Sequence, residues 1–151
     1  MKSELLLFTL IVTTLVTSCT TNRNSGEQSF MLTENWKIQE SAKTKASGQA
    51  ISKAEYNTHD WIDAHVPSTV MGILSTQEKY ANLFIDDNYY KADKSIFDSS
   101  WWYRTTFEAE KPEAGIMWLL QLDGISYSAN IWLNGKNIAQ KDEVHGSFCR
   151  F

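Results

Sequence analysis

The sequence predicts an all-β domain, an antiparallel β-sandwich of jelly-roll type, and three observations carry that prediction. Trp101 to Ala109 alternates Trp101, Tyr103, Thr105 and Phe107 against Trp102, Arg104, Thr106 and Glu108, the period of two that sends successive side chains to opposite faces of a strand. Ile116 to Leu122 (IMWLLQL) is apolar on both faces, as a central strand would be. Asn134-Gly135 is the strongest short hairpin signal, because a type I′ turn needs positive φ at both of its central residues.

The remaining elements follow in order. The folded part starts at Phe30, with Trp36-Lys37-Ile38 as a short strand. Ser41 to Ser52 is polar, contains one glycine, and reads as a loop. Trp61 to Val66 alternates, with Ile62, Ala64 and Val66 on one face, and Pro67 closes the strand. Ser68 is placed to N-cap a short helix carrying Val70, Met71, Ile73 and Leu74. Asn82 to Ser100 is long, mostly irregular, and rich in aromatic and acidic residues; loops of this length are often functional. Lys111 to Gly115 makes a turn. Asp123-Gly124 makes another, leading into Ile125 to Leu133, where Tyr127, Ala129, Ile131 and Leu133 share a face. Lys136 to Gln140 is the return strand of the hairpin. Trp118 and Trp132, central in their strands, are expected in the core.

Length and charge bound the function. The 151 residues suffice for one ordinary domain, and 42% hydrophobic content allows a packed core. The net charge of −4, with no basic stripe, makes nucleic acid a poor partner, since phosphate recognition needs clustered Lys and Arg. Six Trp in so short a chain fit either a β-rich core or sugar stacking.

The N-terminus is a separate matter. Lys2 precedes an apolar run from Leu5 to Val16 that is too short to span a hydrocarbon core of ~30 Å. It has the form of a secretory signal, and Val16-Thr17-Ser18-Cys19 resembles the bacterial lipobox. That resemblance implies a lipidated Cys19, with 1–18 as signal peptide, 19–29 as flexible tether and 30–151 as the folded part. The expected place is the bacterial cell envelope, lipid-anchored to a membrane on the periplasmic or the surface side. A plain cleaved signal or a buried helix is the alternative. A lipidated Cys19 leaves Cys149 without a disulfide partner, as a packed small hydrophobe.

Four residues are candidates for contacting a ligand. In Asp86-Asp87-Asn88-Tyr89-Tyr90, Asp87 and Asn88 are the kind of acceptors that hold sugar hydroxyls, and Tyr89 offers a ring to the C–H face of a pyranose. The competing and favoured reading is a solvated loop whose tyrosines cover the domain edge. Trp102 shares a strand face with Arg104, where an ion pair from Arg104 to Asp123 or Glu108 is a plain structural option. His59, His65 and His145 do not make a metal site by spacing: His59 and His65, six apart, would share a strand face, but no third ligand is placed beside them, so no metal and no cofactor is expected. Ser147 lacks the second glycine of a nucleophile elbow.

Taken together, several motifs resemble one family. Val66-Pro67-Ser68-Thr69-Val70-Met71-Gly72, then Trp102-Tyr103-Arg104 with Phe107, then Leu122-Asp123-Gly124-Ile125, then Ile131-Trp132-Leu133-Asn134-Gly135 are similar, in order and spacing, to segments near the start of glycoside hydrolase family 2 enzymes. Gly146 to Phe151 resembles the lead into the next strand of those enzymes. Each motif is weak singly; in this order they reinforce one another.

The resemblance implies a galactose-binding-like jelly roll, the N-terminal sugar-binding domain of these enzymes, with exo-β-glucosaminidases and β-mannosidases as the nearest subgroup. It implies carbohydrate, a β-linked glycoside, as partner. It further implies downstream immunoglobulin-like domains and a barrel with two catalytic Glu residues, absent from this chain. The domain is then incomplete at its C-terminus. Retaining hydrolysis needs two carboxylates about 5–5.5 Å apart, and both family positions fall beyond Phe151, so no catalytic residue is assigned here. The parent protein is expected to be a secreted retaining exo-β-glycosidase. The alternatives are a stand-alone glycan-binding surface lipoprotein without catalysis, and a lipoprotein making only protein contacts.

Overall fold

Trp36 to Glu40 forms strand β1 at the centre of a three-stranded antiparallel sheet in the computed structural model, which describes residues 29–146. Every element described here belongs to the unit Met31–Phe151. The expected signal peptide, Cys19, the tether up to Gln28, Ser147 and Cys149 lie outside the described residues.

β1 pairs with β2 (Ile62–Ala64) on one side, in the register Trp36↔Ala64 and Ile38↔Ile62. On the other side it pairs with β3 (Trp101–Arg104), in the register Ile38↔Tyr103 and Glu40↔Trp101. Ile38, central in the central strand, is fully buried. β3 ends earlier than the alternation to Ala109 suggested. Arg104 is the partner of Lys37, and β1 has only one residue beyond it to offer.

Two one-turn helices flank this sheet. The first, α1 (Gly48–Ile51), lies where the sequence reads as a loop. Ser47 caps it, its hydroxyl accepting from the Ala50 N–H at 3.3 Å. The second, α2 (Val70–Leu74), was expected, but Thr69 rather than Ser68 is its cap, accepting from the Gly72 N–H at 3.1 Å. Both caps satisfy amide groups that a helix start leaves without partners.

The second half departs most from expectation. Ile125 to Leu133 is not one strand; it breaks into β4 (Tyr127–Ser128) and β5 (Ile131–Leu133). Tyr127 sits at φ 71° and is 82% exposed, which removes it from the face it was expected to share. β5 and β6 (Lys136–Ala139) form the expected hairpin, with Asn134 at φ 49° and Gly135 at φ 83° as a type I′ turn requires. β4 pairs with β7 (His145–Gly146), so the described strands fall into three small sheets.

Ile116 to Leu122 forms no strand. A strand apolar on both faces holds only when its edges are paired and both faces covered. No described strand pairs with it, and Leu119 is 84% exposed. Trp118 is likewise not core: it is 44% exposed, and its indole N–H donates to the Glu110 carbonyl at 2.8 Å. Trp132 is half-buried, packed against the backbone of Gly48.

Candidate functional site: a polar recess over the small core

The Asn82–Ser100 stretch is built around a compact apolar cluster. Leu74 from α2, Tyr80 and Leu83 are buried together, and Ile62, Val70, Met71, Tyr89, Ile96, Phe97 and Trp101 pack against them. Full burial of such a side chain stabilises by about 1.5–3 kcal/mol, so this cluster anchors an otherwise irregular stretch. Two single turns of 3₁₀-helix, Glu78–Tyr80 and Ser95–Phe97, bracket it, and the Tyr80 and Phe97 rings meet at 6.2 Å.

Between those turns lies α3 (Asn88–Lys91). Asp86 precedes it at φ 50°, a left-handed conformation that Asp tolerates better than most residues. Asp87 occupies the N-cap position without capping. Its carboxylate instead meets Lys91 Nζ at 2.8 Å, an exposed i,i+4 pair worth about 0.3–0.5 kcal/mol. Asn88 donates from Nδ2 to the Asn82 carbonyl at 2.9 Å, closing the loop from 82 to 88. Asp93 accepts from the Ser95 hydroxyl at 2.7 Å and the Ser95 N–H at 3.0 Å, and these two bonds hold its carboxyl below the usual carboxylate range.

An open recess of about 300 Å³ lies beside this segment. Tyr80 and Leu83 supply its apolar floor, and Asn82, Asn88, Lys91 and Asp93 stand among its polar walls. Polar and charged side chains thus stand around a small apolar base, a lining compatible with a hydroxylated ligand of modest size.

The four candidate residues meet different fates. Asn88 lines the recess, and Asp87 sits next to it, paired with Lys91. Tyr89 does not present an open stacking face: it packs against the Leu74–Leu83 cluster, and Lys94 Nζ lies 4.6 Å from its ring centroid. Tyr90, 80% exposed, meets Tyr89 edge-on at 5.7 Å. Trp102 is not part of this group. Trp101 faces the cluster, its indole N–H donating to the Ile96 carbonyl at 3.0 Å, so Trp102, its neighbour in β3, points to the opposite face. Sequence reasoning passed over Glu78, Lys79 and Asp93, which also line the recess; the mixed charges on both sides of Asn82–Asn88 were the available signal.

Arg104, on the Trp102 face, makes no pair with Asp123 or Glu108. Its guanidinium donates from Nε to the Ile51 carbonyl at 2.8 Å, and from Nη2 to the carbonyls of Lys53 at 2.8 Å and Ala54 at 3.3 Å. The Ile51 carbonyl, at the end of α1, has no i+4 amide partner, and together with the carbonyls of Lys53 and Ala54 it gives a planar fork its acceptors. Among the described residues, no group of three or more His, Cys, Asp or Glu side chains could hold a metal ion.

Comparison with known proteins shows the family. A family model described as "Glycosyl hydrolase 2 galactose-binding domain-like" matches residues 36–149. The exo-β-D-glucosaminidase of Streptomyces avermitilis is 33% identical over 113 residues, covering 75% of this chain and 12% of that protein. The enzyme of the same name from Amycolatopsis orientalis is 32% identical over 113 residues, covering 75% and 11%. Among solved structures, the complex of the Amycolatopsis orientalis exo-chitosanase with PNP-β-D-glucosamine superposes with a TM-score of 0.59 at 29% identity, covering 75% of this chain and 13% of that one. The chain thus spans about an eighth of the length of the curated relatives it matches. Residues 36–149 are the galactose-binding-like domain of glycosyl hydrolase family 2, and the chain belongs to that family.

Proposed function

We propose that this chain is the N-terminal carbohydrate-binding domain of a secreted, lipid-anchored exo-β-glycosidase that acts with retention at the anomeric carbon. The observation that carries this reading is the family match across residues 36–149, together with relatives named as exo-β-D-glucosaminidases at 33% and 32% identity. Cys19, behind its apolar leader, is the lipid attachment point in this reading, and the tether from Thr20 separates membrane from domain. The substrate is a β-linked glycoside, and an amino sugar at the non-reducing end is the first to try. Hydrolysis itself belongs to a downstream barrel carrying two carboxylates about 5–5.5 Å apart, as retention requires. The role left to this chain is to hold sugar through the recess around Asn88 and to orient the glycan for that barrel.

The test is to express the complete reading frame of the locus and assay PNP-β-D-glucosamine hydrolysis, following the first-formed anomer by proton NMR. Release of the β-anomer supports the reading. A purified, folded product that cleaves no β-glycoside, or releases the α-anomer, contradicts it.

A further inference from the structure

A second recess, sharing no residue with the first, lies where the end of β1 meets the turn after it and the 56–61 segment. Its volume is about 220 Å³. One wall holds Tyr56, which meets the buried Trp61 edge-on at 6.0 Å and exposes little apolar surface. The others are polar, from Gln39, Lys43, Thr44, Asn57 and Asp60.

The polar lining is already oriented by its own hydrogen bonds. Tyr56 and Thr44 join through their hydroxyls at 3.1 Å. The Asn57 side-chain oxygen accepts from the His59 N–H at 2.9 Å, and the His59 ring bonds Asp60 Oδ1 at 2.9 Å. Gln39 Oε1 accepts from the Glu40 N–H at 3.1 Å. In each amide the oxygen is thereby engaged and the NH₂ group is the end left to donate. Asp60 keeps its second oxygen as an acceptor, and the Lys43 ammonium supplies further donors.

Three classes of ligand can be weighed against this lining. A phosphate or carboxylate would meet Asp60, and a cation would meet Lys43, so either carries a like-charge contact. A neutral polyhydroxylated ring meets neither, because each hydroxyl both donates and accepts. The volume of about 220 Å³ accommodates one such ring.

We infer that this recess is a second carbohydrate subsite, holding a single neutral pyranose unit through Asn57, Gln39 and Asp60. It goes beyond the catalytic reading and stands whether or not a barrel accompanies this chain. Its use is retention of glycan by the domain alone, with weak affinity, since so small and open a contact buries little of the ligand.

The experiment is a titration of methyl β-D-glucopyranoside into the ¹⁵N-labelled full chain, read at the side-chain amide signals of Asn57 and Gln39. The expected result is a saturable shift of both signals in the millimolar range. Asp60→Ala, at a side chain 93% exposed and so without bearing on the fold, weakens binding about tenfold, the loss expected for one hydrogen bond to a charged group. Gln39→Ala weakens it as well. Absence of a saturable shift overturns the inference, and so does unchanged affinity in Asp60→Ala. Saturation by inorganic phosphate or by spermidine at the same signals, with no response to the glucoside, overturns it equally.

Discussion

The Arg104 guanidinium closes the end of helix α1 by donating from Nε to the Ile51 carbonyl at 2.8 Å, across 53 residues of sequence. With its second branch on the Lys53 and Ala54 carbonyls, one side chain fastens strand β3 to the end of α1 and to the turn that follows it. Desolvation lowers the pKa of the guanidinium, while the nearby Tyr56 works the other way. Arg104→Lys keeps the charge but cannot span both branches. It is expected to cost about 1.5–3 kcal/mol, the worth of one hydrogen bond from a charged group, measured as a lower midpoint in urea unfolding. An unchanged midpoint would show that the fork contributes nothing.

The other end of α1 is held by shape. A methyl group built on Gly48 falls inside the indole of Trp132, 2.5 Å from Nε1 and 2.8 Å from Cδ2. Gly48→Ala therefore forces α1 and the β5–β6 hairpin apart, at about 1–3 kcal/mol for overpacking. Adding Trp132→Leu should recover part of that loss. A double-mutant cycle with no coupling between the two positions would contradict the contact.

The hairpin turn depends on its second residue. Gly135 holds φ at 83° and donates its N–H to Ser52 Oγ at 2.9 Å. An alanine there strains the backbone by roughly 1–2 kcal/mol, and its Cβ would stand 3.5 Å from the Gln49 carbonyl oxygen. Gly135→Ala is expected to lower the melting temperature. Asn134→Gly, at the other positive φ, should leave it nearly unchanged.

Alkaline stability should report on Tyr103. Burial pushes its hydroxyl from the ordinary 10.0 up to about 12, while the O–H donates to the Ser68 carbonyl at 3.2 Å. Above pH 10 the unfolded chain releases this proton and the folded chain keeps it, so the folded state binds more protons and stability falls as pH rises. The loss should run between pH 10 and about 12. Tyr103→Phe removes that part of the slope, and identical slopes for the two proteins would refute the assignment.

How much of this was legible depended on how local each cause was. Asn134-Gly135 set its own turn, and the Ile62–Ala64–Val66 face was fixed by alternation within six residues. Helix α1 was invisible because its determinants are Trp132 and Arg104, both distant in sequence, while Ser41 to Ser52 by itself looks like a loop. Ile116 to Leu122 shows the converse: composition states what a strand would need, and only the fold supplies or withholds its neighbours. At the candidate site, the opposition of Trp101 and Trp102 was readable from period two. The sinking of Tyr89 into the Leu74–Leu83 cluster was not, because it depends on how an irregular stretch wraps.

The most direct test of the central claim is to read the source genome beyond the codon for Phe151. The account predicts an open frame that continues through further strands and immunoglobulin-like domains into a barrel with two glutamates placed for retaining hydrolysis. A genuine stop codon directly after Phe151 would contradict it, leaving a galactose-binding-like domain with no hydrolase of its own.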